Sequence, residues 1–460
     1  MSTRQDTAQG DVVRSNADLV QWIADGEKPA SEWRLGTEHE KFVFDLETKL
    51  PVPYEGDRGI RQLMTELMSC CGWAPIIENG NVIALKRAAG EAGDNISLEP
   101  GGQFELSGAP LENVHETFAE TRTHIEEAKR VAHDLGLGFL GLGFTPTWKH
   151  NQISTMPKQR YQVMTKYMPT VGSHGLDMMY RTATIQVNLD FASEQDLIDK
   201  MRVSLALQPI ATALFASSPF TEGKPNGFKS MRSEVWRDTD PARTGMLPFV
   251  FEDGMGYEAY VEYALDVPMY FVYRDGRYVD VAGASFRDFI AGKLHGFEGQ
   301  HPTLDDWSDH LTTIFPEIRL KKFLEMRGAD SGPPEMICAL TAFWAGILYD
   351  KTSLQACLDL VSDWTEADRL QLRLVTPKEA LSAPFREGSV LDLAAQVLDL
   401  SRAGLKRRGN FDSVGEDESA YLRPLFQIVG HGETMADRLL SLYKTSWDGD
   451  ISRVYDEWAY

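Results

Sequence analysis

Hydrophobic residues recur at helical spacing in long segments of the chain. Residues 111–135 carry apolar side chains three or four positions apart, and Gly136 follows as a stop. Ser193 and Asp196 match a capping box, which predicts a second long helix through Ala216. The apolar positions of the first helix are Leu111, Val114, Phe118, Ile125, Ala128, Val131 and Leu135.

Residues 181–191 alternate between polar and apolar side chains, which predicts a strand with one face on the core and one face wet. The wet face is rich in amides and hydroxyls rather than in Lys and Glu, and this composition suits a surface that lines a ligand. A solvated face is the alternative. Its residues are Thr182, Thr184, Gln186, Asn188 and Asp190.

Residues 34–44 predict a second strand, on which Glu38 and Glu40 share a face. Carboxylates two positions apart on a strand lie about 7 Å from each other. On a rigid strand, followed by Phe42 and Phe44 on the same face, they suit binding of a divalent cation. The alternative is that both carboxylates are solvated.

The same pattern recurs in residues 97–106, where Glu99, Gln103 and Glu105 all occupy odd-numbered positions and are therefore expected on one face of a strand. The Pro-Gly-Gly at positions 100–102 is expected to break or bulge this strand, so that a ligand can approach its backbone.

Residues 317–327 repeat the pattern with positive charges added. Five side chains are expected to point to one side, namely Arg319, Lys321, Phe323, Glu325 and Arg327. Three predicted strands therefore offer carboxylates on one face, and arginines accompany them. Carboxylates for Mg²⁺ and guanidinium groups that neutralise developing charge make a phosphoryl-transfer site. Surface ion pairs along sheet edges are the alternative.

A turn-rich segment, residues 218–237, is the best loop candidate for substrate binding. It carries Arg232 and Arg237 beside Trp236, a combination that could clamp a carboxylate. An ordinary surface loop is the alternative.

The composition then narrows the classes of partner. The chain has 460 residues, is 43% hydrophobic and has a net charge of −22, from 46 Lys and Arg against 68 Asp and Glu. Such a charge argues against nucleic acid and against anionic membranes as partners. The longest apolar run, residues 336–349, is too short to span a bilayer and predicts a buried helix.

The chain organisation and location follow from what the sequence lacks. It has no repeat, low-complexity block or evident linker, so one domain over residues 1–460 is expected. In this domain residues 1–30 are expected to be less ordered and residues 335–460 mostly helical. No signal-peptide core is visible, and the cysteines have no zinc-ligand spacing, so a cytoplasmic protein is expected. The cysteines are Cys70, Cys71, Cys338 and Cys357.

Several familiar catalytic motifs are absent from the sequence. There is no GxxxxGK[ST] phosphate loop, no HExxH and no GxSxG, which argues against Walker-type nucleotide binding, zinc proteases and serine hydrolases. Residues 136–141 match GxGxxG, but they follow a predicted helix and lead into a predicted strand. A dinucleotide-binding turn requires the reverse order.

Long segments that contain these residues resemble the plant and proteobacterial type of glutamate–cysteine ligase. The resemblance runs from about Trp33 to the C-terminus. Its strings are GTEHEKF (36–42), SLEPGGQFELSGAP (97–110), GLDMMYRTATIQVNLDF (175–191), ALQPIATALFASSPFTEGKPNGF (206–228), TGMLPFVF (244–251), YALDVPMYF (263–271) and HLTTIFPEIRLKKFLEMRGAD (310–330).

The resemblance implies an α+β fold of the kind shared by carboxylate–amine ligases and glutamine synthetase. In this fold a curved antiparallel sheet holds the active site on its concave face, and helices pack outside. It also implies a Mg²⁺-dependent enzyme of glutathione biosynthesis, which joins glutamate to cysteine through γ-glutamyl phosphate with ATP as co-substrate. Three alternatives remain open: a sister ligase with another amine acceptor, a non-catalytic binder of glutamate and nucleotide, and a metal-dependent phosphate-ester hydrolase.

The resemblance assigns expected roles to individual residues. Arg327 is expected at the transferred phosphate, and Arg232, with Arg181 behind it, at a substrate carboxylate or phosphate. Gln186 stands where some relatives of the superfamily have a histidine ligand, and Trp236 is a candidate for the cysteine pocket, with Tyr161 and Met231. The expected Mg²⁺ ligands are Glu38, Glu40, Glu99, Glu105 and Glu325.

Regulation and assembly are only partly indicated by the resemblance. Plant members are regulated by disulfides, but Phe118 stands where a partner for Cys338 would be, and Val281 and Gly296 occupy the other pair. A plant-type disulfide switch is therefore not expected. The short N-terminus, without a plastid transit peptide, favours a bacterial cytosolic member. The choice between monomer and homodimer stays open.

Overall fold

The computed structural model describes residues 10–87 and 93–460. Its helices and strands alternate along the chain, as the sequence predicts. The helices are α1 Asn16–Ala24, α2 Ile60–Cys71, α3 Val114–Asp134, α4 Gln159–Tyr167, α5 Gly175–Arg181, α6 Glu194–Leu214, α7 Met231–Val235, α8 Tyr257–Asp266, α9 Phe286–Ile290, α10 Leu304–Leu311, α11 Pro334–Leu348, α12 Lys351–Val361, α13 Glu366–Glu379, α14 Val390–Arg408, α15 Arg423–His431, α16 Met435–Lys444 and α17 Val454–Glu457.

Most strands join one antiparallel sheet, and the others form two-stranded ribbons. The strands are β1 Leu35–Asp45, β2 Trp73–Glu78, β3 Asn81–Arg87, β4 Asn95–Leu98, β5 Phe104–Ser107, β6 Leu137–Leu140, β7 Thr184–Leu189, β8 Phe220–Thr221, β9 Lys224–Pro225, β10 Thr244–Gly245, β11 Phe271–Arg274, β12 Arg277–Asp280, β13 Phe315–Pro316, β14 Ile318–Leu320, β15 Leu324–Asp330, β16 Pro384–Phe385 and β17 Gly388–Ser389.

Strand β1 is the centre of the main sheet. Within the described residues the order is β14-β15-β7-β1-β5-β4-β3-β2, and the far end of β1 pairs with β6. Helices α3 and α11 pack against the face of β1 that carries Thr37 and His39: the Thr37 hydroxyl lies 2.8 Å from that of Thr341, and His39 stacks edge-on against His124. The opposite face of β1 carries Glu38 and Glu40. This mixed helix and antiparallel-sheet architecture confirms the α+β fold class.

The long helices begin and end near the predicted positions. Ser193 caps α6 by accepting from the backbone N–H of Asp196, as predicted. Helix α3 begins later than predicted because Leu111 is in a β-bridge with Leu35, and Asn113 is the N-cap. The apolar run at 336–349 is the buried helix α11. Among the described helices, none is long and apolar enough to cross a membrane.

Two segments predicted as single strands are antiparallel hairpins instead. Residues 97–106 form β4 and β5, because Gly102, with φ of +81°, reverses the chain and donates to the Glu99 carbonyl. Residues 317–327 form β14 and β15, with Arg319 directly opposite Glu325. In both hairpins the alternation of side chains continues across the turn, so the polar side chains still lie on one face of the sheet.

The N-terminal segment is more regular than expected. Residues 1–9 lie outside the described residues, but α1 is capped by Ser15 and buries Leu19 and Ile23 in the main core. Because this apolar stripe packs, residues 10–30 do not match the expected less ordered segment. The candidate loop at 218–237 also contains regular structure, namely the β8–β9 hairpin and α7.

Candidate active site

The register of three strands brings the predicted carboxylates together. Strand β5 places Glu105 opposite Glu40, and β7 places Gln186 opposite Glu38. Because side chains at paired positions of a sheet point to the same face, these groups converge above β1. The hairpin turn between β4 and β5 adds Glu99 from the side.

These side chains line a cavity of about 90 Å³. The structure therefore brings together eight of the residues named from the sequence, and four further side chains complete the lining. The named residues are Glu38, Glu40, Glu99, Glu105, Tyr161, Gln186, Arg319 and Arg327, and the others are Arg160, Met164, Thr312 and Phe315.

The carboxylates oppose one another's ionisation. Burial, followed by the charges of Glu99 and Glu105, raises the pKa of Glu40 well above its usual range, although Arg232 and a hydrogen bond from the Thr184 N–H act against this shift. Burial, followed by the charges of Glu99 and Glu38, raises the pKa of Glu105 to about 8. Without an added positive charge the cavity therefore retains protons at neutral pH.

This repulsion fits a site for divalent cations. Among the described residues, however, no three His, Cys, Asp or Glu side chains converge closely enough to hold one metal ion by themselves. Mg²⁺ is usually bound by one or two carboxylates together with waters and substrate phosphates, so it does not require a complete protein cage. The facing carboxylates of Glu40 and Glu105 match this kind of partial site.

Arg327 lies at the edge of the carboxylate cluster and is oriented by two groups. Its Nη1 donates to the Oε1 of Gln186 at 2.6 Å and contacts Glu325. The Nε2 of Gln186 in turn donates to Glu38 at 3.5 Å, and Asn188 donates to Glu38 at 2.9 Å. Gln186 therefore links the guanidinium group to the carboxylates rather than acting as an isolated ligand.

Glu325 does not occupy the position expected for a metal ligand. It is fully buried and does not line the cavity; Arg319 and Lys321 lie 2.7 and 2.8 Å away, and Arg327 also contacts it. Although burial alone would raise the pKa of Glu325, these three cations hold it well below its usual range. In this structure its charge is neutralised by neighbouring cations, which corrects the expected metal role.

Replacing Glu325 with Gln is expected to destabilise the fold by about 3–5 kcal/mol, because the change leaves buried cations without their partner. Denaturant unfolding, with the exposed Glu258→Gln as control, measures this loss. A metal ligand would behave differently: its replacement would leave the metal-free protein equally stable. Unchanged stability of Glu325→Gln would therefore contradict the ion-pair assignment.

A second, smaller recess adjoins the cavity at Phe315 and Arg327. Arg232 and Trp236 line it, as the sequence suggested for a substrate pocket. Arg232 donates from Nη2 to the Arg327 carbonyl at 2.7 Å. Within the described part of the chain, the buried Arg232 Nε and Trp236 Nε1 have no hydrogen-bond partner. Neither N–H group is therefore used by an acceptor of the described residues.

Two other arginines proposed from the sequence lie apart from both cavities. Arg181 is buried against Phe144 and pairs with Asp177 at 3.2 Å and Glu222 at 3.3 Å. Arg237 pairs with Glu234 at the surface. The buried Arg181 Nε and Nη2 have no hydrogen-bond partner among the described residues, but Arg181 lines neither cavity. The structure therefore does not bring Arg181 or Arg237 to the site at which a substrate role or a clamp was expected.

A larger chamber of about 410 Å³, which the sequence did not indicate, shares Glu38 and Thr312 with the carboxylate cavity. It combines aromatic and basic side chains from segments that are distant in the chain. No local motif could have identified it, since α1, β1 and the β14–β15 turn each supply only a few members. They include Trp22, Lys28, Arg34, Lys321, Lys322 and Phe323.

Comparison with known proteins identifies related sequences over nearly the whole chain. A family model described as glutamate-cysteine ligase family 2 matches residues 34–457. Glutamate–cysteine ligase B, chloroplastic, from Oryza sativa subsp. japonica is 54% identical over 96% of this chain and 87% of its own length. The chloroplastic glutamate–cysteine ligase from Arabidopsis thaliana is 52% identical, over 96% of this chain and 82% of its own.

A solved structure shares the fold at low sequence identity. The glutamate–cysteine ligase from Francisella tularensis in complex with AMP superimposes with a TM-score of 0.53 at 14% identity, over 92% of this chain and 87% of its own. The cytoplasmic location expected from the sequence is contradicted by the relatives. Their names describe chloroplastic enzymes.

Proposed function

The chain belongs to glutamate–cysteine ligase family 2, and from this premise we propose that it joins the γ-carboxylate of glutamate to the amine of cysteine with ATP as co-substrate. This reaction is the first step of glutathione synthesis. The observation that carries the proposal is the cavity in which Glu40 faces Glu105 beside Arg327, in a chain that is 54% identical to named ligases. The related proteins are all named as ligases for cysteine, so their names do not support an amine acceptor other than cysteine.

The four cavity carboxylates are the proposed Mg²⁺ ligands. Bound Mg²⁺ would supply positive charge that draws electron density from the phosphate oxygens of ATP. Glu40 and Glu105 are rigidly placed, because each lies within a paired strand. Glu38 is fixed by hydrogen bonds from Gln186 and Asn188. These constraints hold the carboxylate oxygens in place before the substrates arrive.

Arg327 is proposed to stabilise the negative charge that develops on the transferred phosphoryl group. A carboxylate is a poor acyl donor, so glutamate must first be activated as γ-glutamyl phosphate, from which the cysteine amine displaces phosphate. Gln186 and Glu325 hold the Arg327 guanidinium beside the carboxylates. A fixed donor in a buried site stabilises charge without reorganisation during the reaction.

The recess at Arg232 and Trp236 is proposed to bind the α-carboxylate of an amino-acid substrate. Its buried Nε and Nε1 donors lack partners within the described residues, and a carboxylate supplies acceptors for both. Burial lowers the pKa of Arg232, but arginine remains charged at neutral pH. A bound carboxylate would therefore remove two unsatisfied donors and add a charge pair.

The larger chamber is proposed to hold the nucleotide. It has room for a base and ribose, and its aromatic side chains, Trp22 and Phe323, offer surfaces for stacking. Lys28, Arg34 and Lys322 place positive charge around it. Since Glu38 lies on the boundary with the carboxylate cavity, a nucleotide here would direct its phosphates toward the proposed metal ligands.

Magnesium is expected to stabilise the protein more at pH 8 than at pH 6. The folded-state pKa of Glu105 is raised from 4.5 to about 8, so this group makes the metal-free fold less stable as pH rises through that window. A cation relieves the repulsion at pH 8, but it must displace protons at pH 6. At about 100 times its Kd, Mg²⁺ stabilises the fold by about 2.7 kcal/mol. Thermal unfolding with and without Mg²⁺ measures the effect.

Glu105→Gln is the matched variant for that experiment, because the amide keeps the shape of the side chain and removes its titration. In this variant, the stabilisation by Mg²⁺ is expected to differ less between pH 6 and pH 8. An equal Mg²⁺ effect in both proteins at both pH values would contradict the role of this carboxylate.

The proposed reaction is tested by mass spectrometry of the products formed from Mg-ATP, glutamate and a panel of amines that includes cysteine. The proposal expects γ-glutamylcysteine together with ADP. A γ-glutamyl product with another amine only would correct the acceptor. Phosphate release without either amino acid would support a hydrolase instead, and no reaction from folded protein would support a binder.

A further inference from the structure

Two adjacent cysteines form a cluster outside the proposed active site. Cys70 and Cys71 are free thiols in the last turn of α2, and their sulfur atoms are in contact. Cys70 is exposed and Cys71 is half-buried. The guanidinium of Arg130, from α3, lies 3.2 Å from the Cys71 sulfur and 3.7 Å from that of Cys70. The proposed reaction uses none of these groups.

A direct disulfide between these neighbours is disfavoured by the backbone. Adjacent Cα atoms are about 3.8 Å apart, whereas the Cα atoms of disulfide-bonded cysteines are usually at least about 4.4 Å apart. Both residues also belong to a regular helix, which the bond would have to distort. A single atom that bonds to both sulfurs lengthens the bridge between them, so the two Cα atoms can stay at the spacing of the helix. Such a bridge requires only that the two sulfurs lie close together, as they do here.

The protonation of Cys71 favours one class of thiophilic ligand over another. Burial, followed by the contact with Cys70, raises the pKa of Cys71 to about 11. A soft metal cation binds thiolates and would have to expel this proton against that preference. A trivalent arsenic hydroxide carries its own acceptors: two As–S bonds form, two As–O bonds break, and each thiol proton leaves with a hydroxide as water. No electrons are transferred.

We propose that Cys70 and Cys71 form a surface dithiol site for trivalent arsenic compounds, with Arg130 packed against the two sulfurs. The two thiols are close enough to bind one arsenic atom together, and their exposure gives the ligand access from solvent. Two bonds to one chain also make release slow, because the second thiol recaptures arsenic before it escapes. Neither cysteine lines the cavities described above.

Phenylarsine oxide is a suitable probe, since it condenses with two thiols and releases one water. Intact-protein mass spectrometry of the phosphine-reduced chain is expected to show one adduct, located by proteolysis to the peptide that contains residues 70–71. Excess glutathione, a monothiol, is expected to release the adduct about a hundredfold more slowly from this chain than from Cys70→Ser or Cys71→Ser. A small dithiol should release it quickly from all three.

Cys338→Ala and Cys357→Ala are the controls, because both cysteines are buried and distant in sequence. They are expected to leave the adduct unchanged. Equal release by glutathione from the parent chain and the two serine variants would overturn the proposal. So would an adduct that persists in both serine variants, or a loss of two hydrogens at residues 70–71 without arsenic uptake.

Discussion

Replacing Arg327 with Met is expected to lower kcat about a thousandfold or more, in line with the loss of a guanidinium that stabilises a transferring phosphoryl group. A thousandfold loss corresponds to about 4 kcal/mol of transition-state stabilisation. Methionine fills similar space, and Glu325 keeps two cationic partners, Arg319 and Lys321. The fold should therefore survive. Steady-state kinetics with cysteine as acceptor measures the change.

The exposed Arg402→Met on α14 is the control for a general loss of positive charge, and it should retain normal kcat. A rise in the KM for ATP with unchanged kcat in Arg327→Met would mean that the guanidinium stabilises the bound substrate and the transition state equally. Near-normal turnover would remove Arg327 from the reaction altogether.

Replacing Glu40 with Gln is expected to lower kcat/KM by about a hundredfold to a thousandfold, because one fixed charge of the proposed metal site is lost. The amide can still accept the hydrogen bond from the Thr184 N–H. Burial and its neighbours raise the pKa of Glu40, so a neutral side chain also relieves repulsion. The metal-free variant should therefore be at least as stable as the parent at pH 8.

Thermal unfolding and kinetics on the same preparation separate these two effects, and Glu258→Gln on the exposed side of α8 is the matched control. The informative result is the combination of lost activity with retained or increased stability. Lost activity with an equal loss of stability would show that Glu40 is structural, and retained activity would exclude it from the site.

The site could be predicted from strand parity because the side-chain period of a strand is fixed by its geometry. Glu38 and Glu40 share a face on β1, and Gln186 joins them from β7. Even where the chain turns at Gly102, the parity of Glu99 and Glu105 was sufficient to place both at the cavity. The predicted α+β fold class was confirmed, and it rested on the family resemblance rather than on the strand pattern.

The alternation of side chains along a strand predicts the face on which a residue lies, but it does not predict which residues will form ion pairs with it. Glu325 shares the correct face but is surrounded by three cations, one of which, Arg319, is brought opposite it by the hairpin register. Arg181 forms ion pairs with residues 177 and 222, and the second of these is distant in sequence. Parity placed the three cations on the face of Glu325 but did not show that they would neutralise it, whereas the Arg181–Glu222 pair depends on a tertiary contact.

The helices that close the site were also beyond the sequence pattern. Arg160 and Met164 lie on α4, a short helix without a recognisable motif, yet both line the carboxylate cavity; their neighbour Tyr161 was named only through the family resemblance. The larger chamber includes residues from α1 and from the β14–β15 turn, which are about 300 residues apart in the sequence. Such a surface exists only after the chain has folded.

The most direct test of the central claim follows oxygen from substrate to product. Glutamate labelled with ¹⁸O in its γ-carboxylate is incubated with Mg-ATP, cysteine and the protein, and the phosphate and amide are analysed by mass spectrometry. If the carboxylate is activated as γ-glutamyl phosphate, one labelled oxygen appears in inorganic phosphate and the other stays in γ-glutamylcysteine. Unlabelled phosphate, or AMP in place of ADP, would contradict this account.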